Sequence, residues 1–219
     1  AAALFALDLG FWHRSISYIG PGLSTLLASF QIFFMAGAGV LLFKQKPEKI
    51  QLIAIPLAIL GLALVAGFDW STRTIVHQRG VLFGLLTALS YAAYLLVLRQ
   101  SQVGGNQRLP VAELSVISLG SAALLGFASM MEGHSLAIGS MANLGWLVCY
   151  GVVCHVGGWL LIASSLPRLS TVVAGLTLTL QPLLTLVWDL LIFDRAFSAT
   201  ELVGAVLTLI AVYLGSRRD

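Results

Sequence analysis

Long apolar blocks alternate with short polar segments along this chain. Reading the breaks from charged residues, proline and glycine predicts eight helical spans, at residues 1–18, 21–43, 50–68, 80–99, 111–131, 142–165, 169–193 and 200–216. Most blocks reach about 20 residues, the length that a helix needs to cross the hydrocarbon core of a bilayer. The pattern therefore predicts an all-α membrane protein, a polytopic helical bundle with no soluble domain between its spans.

The composition supports this prediction and excludes other classes of protein. Of the 219 residues, 58% are hydrophobic and 10% are charged, and the mean hydropathy is +0.96. A soluble domain carries about 25% charged residues. The formal net charge is only +3, and the basic residues lie in short loops, so we exclude nucleic acid as a partner. Cys149 and Cys154 match no metal, haem or redox spacing, and we expect both to be buried small apolar residues.

The distribution of basic residues predicts the orientation in the bilayer. An even number of spans places both termini on one side, and basic residues are retained on the cytoplasmic side of most membrane proteins. With the C-terminus in the cytoplasm, the split is eight basic residues inside against four outside. The inside set is Lys44, Lys46, Lys49, Arg99, Arg108, Arg168, Arg217 and Arg218, and the outside set is Arg14, Arg73, Arg79 and Arg195. We therefore expect a multi-pass protein of the cytoplasmic membrane with a cytoplasmic C-terminus.

The two ends of the chain are related by an internal repeat. A shift of 150 positions superposes Gln31 on Gln181 and Phe43 on Phe193 without a gap. Five predicted spans separate the copies, and an odd number of crossings inverts the second copy relative to the first. Residues 1–68 are then the last three helices of the first repeat, and residues 80–216 are the complete second repeat. This count predicts a ten-helix protein in which two further helices precede the first residue given.

Several stretches resemble a known family. The sequence LDLGFWHRSISY at residues 7–18 resembles the third-helix signature of the drug/metabolite transporter superfamily, of the type built from two EamA-like five-helix repeats. Residues 24–31 are similar to the fourth helix of that group, and residues 180–184 and 202–205 are similar to its ninth and tenth helices. The likeness covers essentially the whole chain. It implies a ten-helix membrane transporter, with efflux as the expected direction.

The chain also departs from the pattern of that family. The family usually carries a glutamate in the short loops after its fourth and ninth helices, and here Gln45 and Arg195 hold those places. The first repeat has Ile32 where the second has Pro182. The expected fold survives these changes, but no transport role of the loop acids carries over to this chain.

Asp8 is the clearest candidate for a functional residue. An ionisable group at membrane depth costs roughly 2.5–3.5 kcal/mol, so each one is a functional candidate. Trp12 lies one turn further on the same helical face. Asp8 either lines a central cavity, where it couples transport to protons or binds a cation, or it is a structural carboxylate bonded to a neighbouring helix, with His13 and Arg14 as candidate partners. We expect His13 and Arg14 themselves to be anchors at the outer end of the helix.

Polar and aromatic faces of later spans complete the predicted solute site. In span seven, Gln181 belongs to a polar stripe at intervals of four, four and three, and its repeat mate is Gln31; the stripe is Thr177, Gln181, Thr185 and Trp188. We do not expect this stripe to meet lipid, and we favour a cavity lining between the repeats over hydrogen bonding to neighbouring helices alone.

Span four and span six add further candidates. In span four, Tyr91 shares a face with Gly84 and Thr87 and is expected to form an aromatic wall, whereas Tyr94 is expected in an interfacial aromatic belt. The Gly80 to Gly84 spacing is a GxxxG motif that predicts close helix packing. In span six, His155 either relays protons or donates a hydrogen bond to a neighbouring helix.

These residues favour a secondary active transporter that moves a small organic solute by alternating access. The chain lacks the GxxxxGK[ST], HExxH and GxSxG motifs, so the sequence does not support ATP-driven transport or a membrane hydrolase. The alternatives are a non-transporting scaffold, a passive channel and, with less support, a membrane-embedded enzyme. A lining of amides, hydroxyls and rings suits an amino acid, an amine or a drug-like metabolite. We predict no cofactor and no metal, and the resemblance implies export.

Overall fold

The computed structural model describes residues 1–46, 48–66, 75–103, 110–178, 180–181, 184 and 198–216. In this part of the chain the regular structure is helical. The elements are α1 (Ala2–Ala28), α2 (Gln31–Leu41), α3 (Lys49–Ala66), α4 (Ile75–Val103), α5 (Pro110–Met131), α6 (Met141–Tyr150), a π-helix (Gly151–Gly158), α7 (Trp159–Ser165), a short 3₁₀ turn (Leu166–Arg168), α8 (Thr171–Leu178) and α9 (Ala199–Ser216). The predicted all-α fold class is confirmed.

Several of these helices suit a bilayer. Among the described residues, the helical segments Ile75–Gln102, Val111–Met131 and Met141–Arg168 are long and apolar enough to cross a membrane. Shorter apolar helices lie at Gln31–Leu41 and Lys49–Leu64, and also at Leu202–Gly215. This architecture is that of a helical membrane protein.

The helix α1 contains a sharp turn at Gly20. This residue has φ 80° and ψ 165°, a backbone conformation that essentially only glycine adopts. A Cβ atom added to Gly84 would lie 3.1 Å from the Ser15 hydroxyl and 2.8 Å from the Leu27 Cβ atom. Those two residues would be about 18 Å apart along a straight helix, so the chain reverses at Gly20. The break predicted between spans one and two, after residue 18 and before residue 21, is therefore confirmed at Gly20.

The predicted close packing of the GxxxG motif is confirmed. A Cβ atom on Gly80 would overlap the side chain of Ile19 and lie 2.8 Å from the Tyr18 Cβ atom. In the same contact, the buried Ser15 hydroxyl donates to the Gly80 carbonyl at 2.9 Å. The small residues of α4 thus let its backbone approach α1 closely.

One prediction for α4 is wrong. Tyr94 was expected in an interfacial belt, but its side chain is 1% exposed, and its ring stacks on Phe5 with the ring centroids 4.7 Å apart. The reason is tertiary packing: α1 covers this side of α4, so the position is inside the bundle. Around this pair, Met35, Leu98 and Leu166 form part of the main hydrophobic core.

The surface between α3 and α9 is packed without free space; we call it the α3–α9 seam, comprising Gln51, Gly61, Gly204, Thr208 and Gly215. A Cβ atom on Gly61 would overlap the Thr208 hydroxyl and lie 2.6 Å from the Gly204 carbonyl oxygen. Polar groups at the seam are paired. The Thr208 hydroxyl donates to the Gly204 carbonyl at 2.9 Å, and the Gln51 amide donates to the Gly215 carbonyl at 3.3 Å.

The starts of these two helices repeat along the chain. A shift of 150 positions carries the first residue of α3, Lys49, onto the first residue of α9, Ala199. The five-helix repeat and the inversion of one repeat relative to the other stay predictions.

The predicted span at residues 142–165 is one continuous helical segment, but its hydrogen-bonding pattern changes within it. Residues Gly151–Gly158 form a π-helix, in which each backbone hydrogen bond spans one residue more than in an α-helix. Cys149 and Cys154 are exposed rather than buried, because this segment packs against few of the described residues. The expectation that both cysteines are buried is therefore wrong.

Candidate solute-binding cavity

A cavity of about 500 Å³ lies between α1, α2, α4, the π-helix and the segments that follow it. This volume is within the range of about 300–1,000 Å³ that is usual for small-molecule sites. The described residues that line it include six of the residues singled out from the sequence: Asp8, Trp12, Gln31, Tyr91, His155 and Gln181.

Asp8 lies on the cavity wall contributed by α1. Its side chain is 7% exposed, and within the described part of the chain no hydrogen bond or ion pair reaches its carboxylate. His13 and Arg14 were the partners suggested for a structural Asp8, and neither of them bonds to it. Instead, the His13 ring nitrogen Nδ1 lies 2.8 Å from the Leu9 carbonyl, and Arg14 forms a salt bridge with Glu132. The carboxylate is therefore left to face the cavity.

Gln31 supplies a second unpaired acceptor. It begins α2 and is only 3% exposed, and its side-chain oxygen has no hydrogen-bond partner among the described residues. Its predicted repeat mate differs, because the Gln181 side chain is hydrogen-bonded to Tyr91. An unpaired buried acceptor is costly unless a ligand satisfies it. Within the described part of the chain, Asp8 and Gln31 thus each present a buried acceptor that lacks a donor.

Aromatic rings form much of the remaining wall. Trp159 makes edge-to-face contacts with Phe5 at 5.1 Å and with Tyr91 at 6.2 Å between ring centroids. Sequence reasoning missed Phe5 and Trp159, because an aromatic residue in an apolar span looks like any other core residue. The repeat carried a signal for one of them, since the shift of 150 positions places Phe5 on His155.

His155 connects the cavity to α5. Its ring nitrogen Nε2 lies 2.8 Å from the Ser118 hydroxyl, and its ring centroid lies 5.9 Å from that of Phe5. This is the interhelical hydrogen bond expected as one alternative for His155. Because the same side chain also lines the cavity, a role in proton coupling stays a prediction.

The predicted polar stripe contributes only in part to the cavity. Thr177 is exposed and does not line it, and its hydroxyl donates to the Val173 carbonyl of its own helix at 2.8 Å. That bond satisfies the hydroxyl without a solute. Thr185 and Trp188 lie outside the described residues. Of this stripe, the described structure brings Gln181 to the cavity.

The loop residue Gln45, which replaces a usual family glutamate, has a structural contact. Its side-chain oxygen accepts hydrogen bonds from the Thr171 hydroxyl at 2.9 Å and from the Thr171 backbone N–H at 3.3 Å. The loop after α2 is therefore tied to the beginning of α8. The second replaced position, Arg195, lies outside the described residues.

Charged groups are sparse in the cavity. None of the described lining residues is a lysine or an arginine, and no group of three metal-ligating side chains occurs in the described part of the chain. The donor set is that of a small organic molecule site with a carboxylate on one wall.

The chain is similar in sequence to a family of transporters and similar in fold to a solved structure. The sequence profile of the EamA-like transporter family matches residues 78–217, more than half of the chain. A solved crystal structure, described only as that of a protein, aligns with a TM-score of 0.81 at 13% identity over 97% of this chain and 72% of that chain. At this identity the likeness shows the fold alone. No curated protein matches the sequence significantly.

Proposed function

Because the chain belongs to the EamA-like transporter family, whose members are membrane transporters, we propose that it is a secondary active transporter for small organic cations. The solute carries an ammonium group and an apolar or aromatic portion, as in an amine or a drug-like metabolite. The observation that carries the proposal is the buried Asp8 carboxylate, which faces the cavity without a partner among the residues that the structure describes.

The chemistry of the wall supports a cation. A carboxylate held away from water is stabilised most by an opposite charge that also donates hydrogen bonds. The free oxygen of Gln31 offers a second acceptor to the same ammonium group. The faces of Trp12, Tyr91 and Trp159 suit the apolar portion and attract a cation through their ring electrons. An anion would need arginine or lysine, which the described lining lacks.

Transport would proceed by alternating access. Helices from both proposed repeats line the cavity: α1 and α2 belong to residues 1–68, and α4 and α7 belong to residues 80–216. Rocking of one repeat against the other opens the site to each side in turn. Asp8 holds either a proton or the solute ammonium, so the two exchange across the membrane. The direction we propose is export across the cytoplasmic membrane, as the family resemblance implies.

Reconstituted vesicles test this function with two matched probes. Benzyltrimethylammonium is a permanent aromatic cation, and benzenesulfonate is an anion of similar size. We expect saturable uptake of the cation, driven by a proton gradient, and none of the anion. Transport of the anion alone would contradict the proposed substrate class, and a flux that does not saturate would indicate a passive channel.

Variants then test the role of Asp8. We expect Asp8→Asn to abolish uphill transport because the amide does not exchange a proton, while exchange of solute already bound remains possible. Glu113→Gln is the matched control, because Glu113 contacts Gln102 between α5 and α4 and does not line the cavity. Uphill transport by Asp8→Asn at the wild-type rate would return Asp8 to a structural role.

A further inference from the structure

A second pocket, which we call the side pocket, lies between α5 and the segment formed by the π-helix and α7. Its volume is about 330 Å³, and its wall is mostly apolar. The residues that matter here are Ser115, Ser118 and Leu119 of α5 and His155, Val156 and Trp159 of the facing segment.

The side pocket and the central cavity share two of their lining residues. His155 and Trp159 line both spaces, so the wall between them is a single layer of side chains. Behind that layer, Phe5 contacts both rings, with centroid distances of 5.9 Å to His155 and 5.1 Å to Trp159. Movement of this one layer would join the two spaces.

A polar contact holds the wall to α5. The Ser118 hydroxyl and the His155 nitrogen Nε2 are 2.8 Å apart, in a pocket whose other lining side chains are mostly hydrocarbon. The neighbouring hydroxyl of Ser115 does not join this contact, because it donates to the Val111 carbonyl at 2.8 Å. His155 also lies in the π-helix, a form that is rare and often marks functional positions.

The outer rim of the side pocket consists of exposed apolar side chains. Leu119 is 72% exposed, Val111 is 54% exposed and Val156 is 50% exposed. These residues lie within helices that are long and apolar enough to span a membrane, so we infer that the rim lies at the depth of the hydrocarbon. In the predicted orientation α5 begins at the cytoplasmic side, which places the rim in the inner half of the bilayer.

We propose that the side pocket is a lateral entrance, through which lipophilic cations dissolved in the bilayer reach Asp8, and that the contact between His155 and Ser118 closes it. The inference rests on the proposed function and deepens it, because it adds a route for solutes that partition into lipid. A water-soluble cation would not need this route, so the two kinds of solute should respond differently to changes in the side pocket.

Uptake of two cations with the same head group tests the entrance. Benzyltrimethylammonium stays in water, whereas benzyldimethyloctylammonium partitions into lipid. We expect Ser118→Ala to raise the uptake rate of the octyl probe about fivefold, the change in open population that follows the loss of one hydrogen bond. We expect Ser115→Phe, which fills the side pocket, to reduce uptake of the octyl probe alone. Ser115→Ala is the matched control and should change neither rate.

Parallel changes for both probes, or no change for the octyl probe in Ser118→Ala and Ser115→Phe, would overturn the lateral entrance. A different result would contradict the proposed function: the unaltered chain would show no saturable uptake of either cation. The readouts of the two proposals are therefore distinct.

A second measurement tests the entrance without transport. The fluorescence of Trp159 is obtained by subtracting the emission of Trp159→Phe from that of the unaltered chain. Lipids with brominated acyl chains quench the fluorescence of an indole that they can reach. In vesicles of dibromo-phosphatidylcholine we expect Trp159 to be quenched relative to dioleoyl-phosphatidylcholine. Quenching should increase in Ser118→Ala and decrease in Ser115→Phe. Equal Trp159 fluorescence in both lipids for all three chains would overturn the proposal.

Discussion

The α3–α9 seam and the central cavity are both buried between helices, but they differ in whether their polar groups have hydrogen-bond partners. At the seam, Gln51 and Thr208 find backbone carbonyls, and Gly61 leaves no room for a single added carbon. In the cavity, Asp8 and the side-chain oxygen of Gln31 have no partner among the described residues, and about 500 Å³ of space lies beside them.

This difference separates stability from binding. Paired polar groups and close packing stabilise the folded chain, whereas unpaired groups destabilise it until a solute supplies the missing bonds. Substitutions at the seam should therefore lower the free energy of unfolding and leave solute affinity unchanged. Substitutions in the cavity should do the reverse, and the predictions below test this division.

The largest effect is expected at Gly61. Gly61→Ala would place a carbon 2.6 Å from the Gly204 carbonyl oxygen, so α3 and α9 must move apart along the seam. We expect the free energy of unfolding to fall by about 3 kcal/mol. The matched control is Gly37→Ala in α2, where an added carbon meets nothing within 4 Å. Thermal unfolding in detergent measures both, and equal midpoints for the two variants would contradict the description of the seam.

The next effect is expected at Asp8. Asp8→Asn should weaken binding of benzyltrimethylammonium about a hundredfold, because it removes the one carboxylate on the described cavity wall that faces the cation. The same change should leave the free energy of unfolding of the solute-free chain within about 0.5 kcal/mol of its original value, because Asp8 holds a proton when no solute is bound and no buried charge is lost. Calorimetric titration and thermal unfolding give the two numbers. A variant that loses stability and affinity together would show that Asp8 is structural.

Two buried glutamines provide a sharper contrast. Gln31 is 3% exposed and Gln51 is 7% exposed, but only Gln51 has its side chain bonded at both ends, to the Gly215 carbonyl and to the Glu48 backbone N–H. We expect Gln31→Leu to reduce the affinity for benzylammonium, whose N–H groups can donate to the Gln31 oxygen, about tenfold with no loss of stability. Gln51→Leu should reduce stability by about 1–2 kcal/mol with no change in affinity. The same outcome for both variants would remove the distinction between seam and cavity.

The smallest effects are expected at two buried threonines, one in each region. Thr87 lines the cavity and Thr208 lies in the seam, and each donates its hydroxyl to a carbonyl four residues earlier at 2.9 Å. Such a bond competes weakly with the helix itself. Thr87→Val and Thr208→Val should each change the free energy of unfolding by less than about 0.5 kcal/mol. A loss near 2 kcal/mol in Thr208→Val would mean that this hydroxyl holds the two helices together.

The starts of α3 and α9 were predictable from the sequence. Apolar blocks and their breaks placed the start of one span at residue 50, and α3 begins at Lys49; they placed the start of another at residue 200, and α9 begins at Ala199. The break at Gly20 was also found, because a glycine followed by a proline interrupts a helix. The π-helix was not predictable, because the amino-acid composition of a helical segment does not indicate a change in its hydrogen-bonding pattern.

In the cavity, the polar residues could be predicted from the sequence, and the aromatic residues could not. Asp8, Gln31 and Gln181 stand out because a polar residue in an apolar span is costly and therefore conspicuous. Phe5 and Trp159 do not stand out, although their rings form the cavity wall. Their roles depend on which helices meet across the bundle, which no local pattern reveals.

The turn at Gly20 bears on how the chain is inserted into the bilayer during synthesis. The two arms of α1 are joined by a single residue with φ 80°, and the Ser15 and Ser24 hydroxyl oxygens, one on each arm, lie 2.9 Å apart. With no connecting loop between the arms, we expect them to leave the translocon and enter lipid together. The unit of insertion is then a hairpin that pairs its own serines before α4 has been synthesised.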